Sequence, residues 1–211
     1  MYISKRIGFL SWGMTCLYFL IEPFFIFTST ASYSYLHHAM SDLGVTTCGE
    51  FTYAFAPYEI CSPHHVGMNG LFLFNGLTFC IGVLYLSQYL RKSLINRMAT
   101  SFILLIGIST FISGLIPADV NLLGHSILVW IAMITIFPGL LIFAKKLTAI
   151  RKWTYFCTAS LISITILISF VPLFPLPSGL LQRLFYFILF IWGTVSTYLL
   201  IKRSKFLPAS N

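Results

Sequence analysis

Charge is scarce in this sequence. Of 211 residues only 9% are Asp, Glu, Lys or Arg, against 58% hydrophobic, and the acids number five in all. A water-soluble domain carries about a quarter charged residues, so a soluble surface cannot be covered here and the natural solvent is a lipid bilayer. Metal-site spacing is missing too, with no H-E-x-x-H and no C-x-x-C. Among the five histidines, the neighbours His37-His38 and His64-His65 cannot readily aim both rings at one ion. No cofactor is therefore expected; zinc is the one metal to test for, and haem lacks supporting ligand spacing. A net charge of +8 would suit nucleic acid, but Lys and Arg sit in short clusters between apolar runs, where they read as topology signals.

What is present is a set of six apolar stretches, 7–28, 68–90, 99–117, 125–144, 154–174 and 184–201, each near the ~20 residues a span requires. In lipid the backbone must satisfy its own hydrogen bonds, so each is expected as a helix. The fold class is all-α: one polytopic helical bundle over 1–211 with both termini cytoplasmic. The first stretch, between Lys5-Arg6 and Ser29-Thr30-Ala31-Ser32, is longer than the ~7–15 residues of a signal-peptide core and is expected as a retained helix.

The orientation follows from the bases. Lys5 and Arg6; Arg91, Lys92 and Arg97; Lys145, Lys146, Arg151 and Lys152; and Lys202, Arg203 and Lys205 fall on one side of a six-span chain, 12 of the 13 Lys and Arg residues. Such an excess marks the cytoplasmic loops. Glu22, Asp42, Glu50, Glu59, Asp119, all five histidines and the remaining base, Arg183, sort to the other side. The expected place is a cell membrane, the inner one in a bacterium, with membrane lipids as partners and no nucleic acid.

The one long connection, 29–66, is aromatic-rich and holds no Lys or Arg. It is too apolar for disorder and is expected to fold over the helix ends or lie in the lipid interface. Cys48 and Cys61 both fall in it, on the oxidising side, and are expected to form a disulfide. Cys16, Cys80 and Cys157 lie mid-helix as small packing residues. Gly107, Ser113 and Gly114 make a small-residue packing face, and Asn69 and Asn75 suit hydrogen bonding between helices.

Several outer residues are chemical candidates. Glu22, inside a helix and followed by Pro23, marks either a site or a buried hydrogen-bonded acid. Asp119 and His125 bracket a short turn, an arrangement in which a carboxylate orients a histidine general base. Arg183 at the outer start of the last helix reads as an anion clamp or a snorkelling base. Ser41 is a nucleophile or, with Asp42, a helix cap.

The blocks Ser41-Asp42-Leu43-Gly44, Cys48-Gly49, Ile60-Cys61-Ser62-Pro63, His65 and Met68-Asn69 resemble the domain-of-unknown-function 998 family of six-helix membrane proteins. The similarity continues through Gly76, Gly114-Leu115-Ile116-Pro117-Ala118-Asp119, His125, Gly179, Arg183 and Trp192, nearly the whole chain. It implies fold and membrane location and brings no activity. Two positions depart from the family pattern. Gly67 stands where a bulky aromatic is common. Gln182 replaces an acid, so Arg183 needs another partner, with Asp42 and Asp119 the candidates.

Two functions compete. In the first, the protein binds lipid, anion or partner at its outer face, and Arg183, Asn69, Glu22 and His65 line the site. In the second it is a membrane-embedded hydrolase or transferase acting on a lipid or lipid-linked substrate, with His125 as base, Asp119 as orienter, Ser41 and Asp42 nearby and Arg183 on the anion. Transport ranks last: it expects paired broken helices, and only the fifth, near Pro172, Pro175 and Pro177, looks interrupted.

Overall fold

The computed structural model describes residues 2–171 and 173–204; Pro172 and Lys205 lie outside them. Its helices are α1 (Lys5–Cys16), α2 (Tyr18–Phe27), α3 (His65–Ser87), α4 (Leu94–Leu115), α5 (Leu122–Lys146), α6 (Arg151–Phe170) and α7 (Ser178–Ser204). Among the described residues six helical stretches are long and apolar enough to cross a membrane, with α1 and α2 together forming the first, Lys5–Phe27. The fold is all-α, the build of a multi-pass membrane protein.

Several helices run past their apolar runs because polar residues finish them. The Ser93 hydroxyl accepts from the Asn96 amide at 3.2 Å and starts α4 before Ala99. Asn121 Oδ1 accepts from the Gly124 amide at 2.9 Å and starts α5 before His125. These side chains replace the partners that a first helical turn lacks.

The interruption anticipated in the fifth span is corrected. There α6 ends at Phe170, and Pro175 and Pro177 follow it. The broken span is the first, between α1 and α2 at Leu17. At that break the Thr15 carbonyl accepts from Asn75 Nδ2 of α3 at 3.0 Å, so a side chain takes up a main-chain acceptor that has left the helical ladder.

The spans close into a ring. Each packs on its neighbour in the chain, and the first packs on α7. Trp12 of α1 fills the centre, 5.8 Å from the Trp192 ring and 5.0 Å from Phe79. A Cβ on Gly193 would lie 2.1 Å from the Trp12 ring, so only glycine admits the indole there. Helices α3 and α4 touch through backbone: a Cβ on Gly76 would lie 2.5 Å from the Gly107 carbonyl oxygen, and one on Gly114 2.6 Å from that of Asn69. Lipid does not drive helices together as water does, so close van der Waals approach supplies the adhesion. Leu20, Phe27, Leu123, Ile134 and Phe156 point outward as a lipid-compatible surface.

The basic clusters share one end of the bundle. The Ile3 amide there donates to Gln88 Oε1 at 3.0 Å, and Arg203 Nη1 donates to Thr148 Oγ1 at 3.1 Å. The long connection folds over the opposite end.

Candidate functional site

At that opposite end the chain builds a cap. Residues Met40–Gly44 form one turn of 3-10 helix, and Asp42 closes it by accepting from the Ala39 amide at 2.9 Å. The same buried carboxylate accepts from Tyr58 at 2.8 Å and from the Tyr53 hydroxyl. Burial raises its pKa above the ordinary aspartate range against the pull of those donors. Burial, followed by the Asp42 charge, pushes both phenols up. Ser41 lies half-buried in the same turn.

The Ser-Asp-Leu-Gly and Cys-Ser-Pro…Met-Asn blocks, remote in sequence, interlock. The Ser62 hydroxyl donates to the Leu43 carbonyl at 2.6 Å, and Asn69 Nδ2 donates to the Gly44 carbonyl at 2.8 Å. A Cβ on Gly44 would lie 2.3 Å from Asn69 Oδ1, so only glycine permits that approach. Cys48 and Cys61 are joined by a disulfide. Beside it Gly49 and Ile60 exchange main-chain hydrogen bonds at 2.9 and 3.0 Å. Val45, Ala56 and Ile60 form a small apolar core under the loop, with Tyr53 and Tyr58 packed on it.

A buried ion pair lies below this cap. Arg183 Nη2 and Nε reach the two Glu22 oxygens at 2.8 and 3.2 Å, and the side chains are 2% and 1% exposed. The partner expected for Arg183 among Asp42 and Asp119 is therefore corrected: it is Glu22. Arg183 Nη1 donates to the carbonyls of Tyr35, His38 and Gly179 at 3.2, 3.0 and 3.0 Å, and Nη2 also donates to the Tyr33 hydroxyl. The Tyr33 hydroxyl donates to the Ala39 carbonyl at 2.8 Å, and Tyr18 donates to Glu22 Oε1 at 3.1 Å. The Tyr35 ring covers the guanidinium at 4.3 Å. All five N–H donors of the guanidinium thus face protein acceptors, and none remains for an anion.

Gln182, in place of the family's acid, accepts from the Met40 amide at 2.9 Å and so holds the cap's 3-10 turn to α7. His38 is stacked on Tyr58 at 3.9 Å, and its Nδ1 accepts from the Ser34 amide at 3.3 Å. Burial, with His37 and Arg183 adding to it, lowers its pKa and keeps that nitrogen an acceptor.

Asp119 and His125 do not hydrogen-bond to each other. Asp119 Oδ2 takes the amides of Thr46 and Thr47 at 2.9 and 3.1 Å and their hydroxyls at 2.7 and 3.1 Å. Burial would raise its pKa, but these donors outweigh it and hold the carboxyl below the ordinary range. Among the described residues its Oδ1 is buried with no hydrogen-bond partner. His125 Nδ1 donates to the Ile116 carbonyl at 2.8 Å. His65 Nδ1 lies 3.0 Å from the Ser62 carbonyl. Among the described residues no three His, Cys, Asp or Glu side chains gather as a metal ion would need.

The bundle therefore brings together Glu22 with Arg183, and Asn69 with the turn that carries Ser41 and Asp42, while Asp119 latches the cap from α4's end. Sequence reasoning missed the ion pair and the two phenols on Asp42. A signal for the pair was there: Glu22 is the acid placed inside a helix, Arg183 is the base on the acidic side, and apolar surroundings require such exceptions to neutralise each other.

A family model described as "Protein of unknown function (DUF998)" matches residues 15–198. No curated protein and no solved structure matches the chain.

Proposed function

The chain belongs to the DUF998 family, and from that premise, which carries no activity, we propose a binding role in place of catalysis: a multi-pass cell-membrane protein whose outer polar cluster locks a cap that engages lipid. The observation that supports this most is the saturation of Arg183. A clamp for a substrate phosphate needs donors left open, and here every one is bound to Glu22, Tyr33 or a cap carbonyl. The general-base pair of the alternative is also spoken for, Asp119 by Thr46 and Thr47 and His125 by Ile116.

Both termini and the basic clusters face the cytoplasm in this reading, and the Cys48–Cys61 bridge supports an oxidising compartment for the cap. The cap's tip is apolar: Phe51 and Phe55 are exposed, with Phe51 held at φ 55°, a left-handed backbone that a bulky side chain rarely adopts. Strain retained at an exposed aromatic points to use, and the headgroup boundary of the outer leaflet is where such rings settle.

The test uses purified protein in lipid nanodiscs. A Phe51→Trp variant should be quenched by brominated lipid, and total lipid incubated with wild type should yield no product by mass spectrometry. An unquenched tryptophan would remove the lipid contact. A product formed by wild type and lost in His125→Ala would establish the membrane enzyme instead.

A further inference from the structure

The basic end carries a feature that topology alone does not require. Between the end of α3 and the start of α4 lies a groove of about 510 Å³, lined by Arg91, Lys92 and Arg97 and, towards the bundle, by Leu84 and Leu104. The three bases are exposed. Among the described residues the single ion pair is Glu22–Arg183, at the other end of the molecule, so no carboxylate answers this charge.

Asn96 lines the same groove and is only 6% exposed. Its Nδ2 donates to the Arg91 carbonyl at 2.8 Å, which fixes the amide's orientation, since a flipped amide would set oxygen against oxygen. Among the described residues its Oδ1 is then left buried with no hydrogen-bond partner. A buried acceptor without a donor is costly, and a groove that pairs it with three bases calls for a molecule carrying both an anion and a hydroxyl. Positive loops set topology without any orphaned acceptor.

We propose that the groove formed by Arg91, Lys92, Asn96 and Arg97 binds one anionic glycerophospholipid with a hydroxyl-bearing headgroup, of the phosphatidylglycerol class. The phosphate lies among the three bases, a small side-chain shift at the groove floor opens Asn96 Oδ1 to a headgroup hydroxyl that donates to it, and an acyl chain runs along Leu84 and Leu104. The volume is that of a small-ligand site. The groove shares no residue with the cap.

Native mass spectrometry of the full chain in mixed micelles tests it, with phosphatidylglycerol, phosphatidic acid and phosphatidylcholine as probes. Wild type should retain one phosphatidylglycerol, less phosphatidic acid, which lacks the headgroup hydroxyls, and least phosphatidylcholine. Arg97→Gln, an exposed position, should weaken retention of both anionic lipids about fivefold. Asn96→Ala should lose the preference for phosphatidylglycerol over phosphatidic acid, about fivefold, and keep the preference for anions. Should Asn96→Ala not fold, Arg97→Gln and the three-lipid ranking decide alone. Equal retention of the three lipids by wild type, unchanged retention by Arg97→Gln, or displacement by excess soluble glycerol phosphate would each overturn the assignment.

Discussion

Gly179 stands one helical turn before Arg183, and its missing side chain is what lets the cap reach the guanidinium. A Cβ there would lie 2.2 Å from the His38 carbonyl oxygen and 2.9 Å from Arg183 Nη1. Gly179→Ala should therefore push the Tyr35 and His38 carbonyls off Arg183 and destabilise the fold by about 1–3 kcal/mol, the usual penalty of overpacking. Thermal unfolding in detergent would register it. A variant as stable as wild type would mean that the cap does not depend on these contacts.

The disulfide should matter in proportion to the loop it closes. Cys48 and Cys61 are 13 residues apart, and a loop of this length is worth roughly 3 kcal/mol in the chain-entropy estimate. Cys48→Ser should lower the unfolding midpoint by an amount that reductant reproduces in wild type. Thiol labelling of unreduced wild type should find Cys48 and Cys61 unreactive; labelling of both before reduction would refute the pairing.

Phe51 sets backbone strain against the proposed lipid contact. Because its backbone is left-handed, Phe51→Gly should remove about 1–2 kcal/mol of conformational strain and stabilise the cap. The same change should weaken contact with lipid. A less stable Phe51→Gly would show that the ring packs within the cap and is no recognition tip.

The two cap carboxylates should respond to acid in opposite directions. Asp119 is held below the ordinary aspartate value of 3.8, so its contribution is present above that pH and is lost as pH falls through the still lower folded value. Asp42 is held above 3.8, so its contribution is complete below that pH and is lost as pH rises through the folded value. Hydrogen exchange, corrected for intrinsic rates, should show the Thr46 and Thr47 amides losing protection on acidification below pH 3.8 while Ala39 keeps its own. Loss at all three together would contradict the separate assignments.

The spans were legible because lipid leaves a chain few options: Leu, Ile and Phe runs of sufficient length must become helices. The disulfide and the glycine contacts of Gly107 and Gly114 could be read for a related reason, since compartment and small size act locally. The break at Leu17 could not, because Pro23 stands six residues beyond it and Gly13 four before it, and its Thr15 carbonyl is met by Asn75 from another helix. Nor could the interlock of Leu43 and Gly44 with Ser62 and Asn69, which needs the register of a long loop over a finished bundle. Asp119 and His125, close in sequence, suggested a catalytic pair, yet nearer acceptors and donors on the cap and on α4 claim each of them.

Glu22 and Arg183 form an internal lock, and a double-mutant cycle measures its strength. Glu22→Met, Arg183→Met and the double variant would be unfolded reversibly with dodecyl sulfate in mixed micelles. Each single change strands a buried charge and should cost about 3–5 kcal/mol. The double variant should cost less than the two together by about 1–3 kcal/mol. Losses that simply add, or an Arg183→Met protein as stable as wild type, would show that the guanidinium is not held by Glu22 and would reopen it as a ligand site.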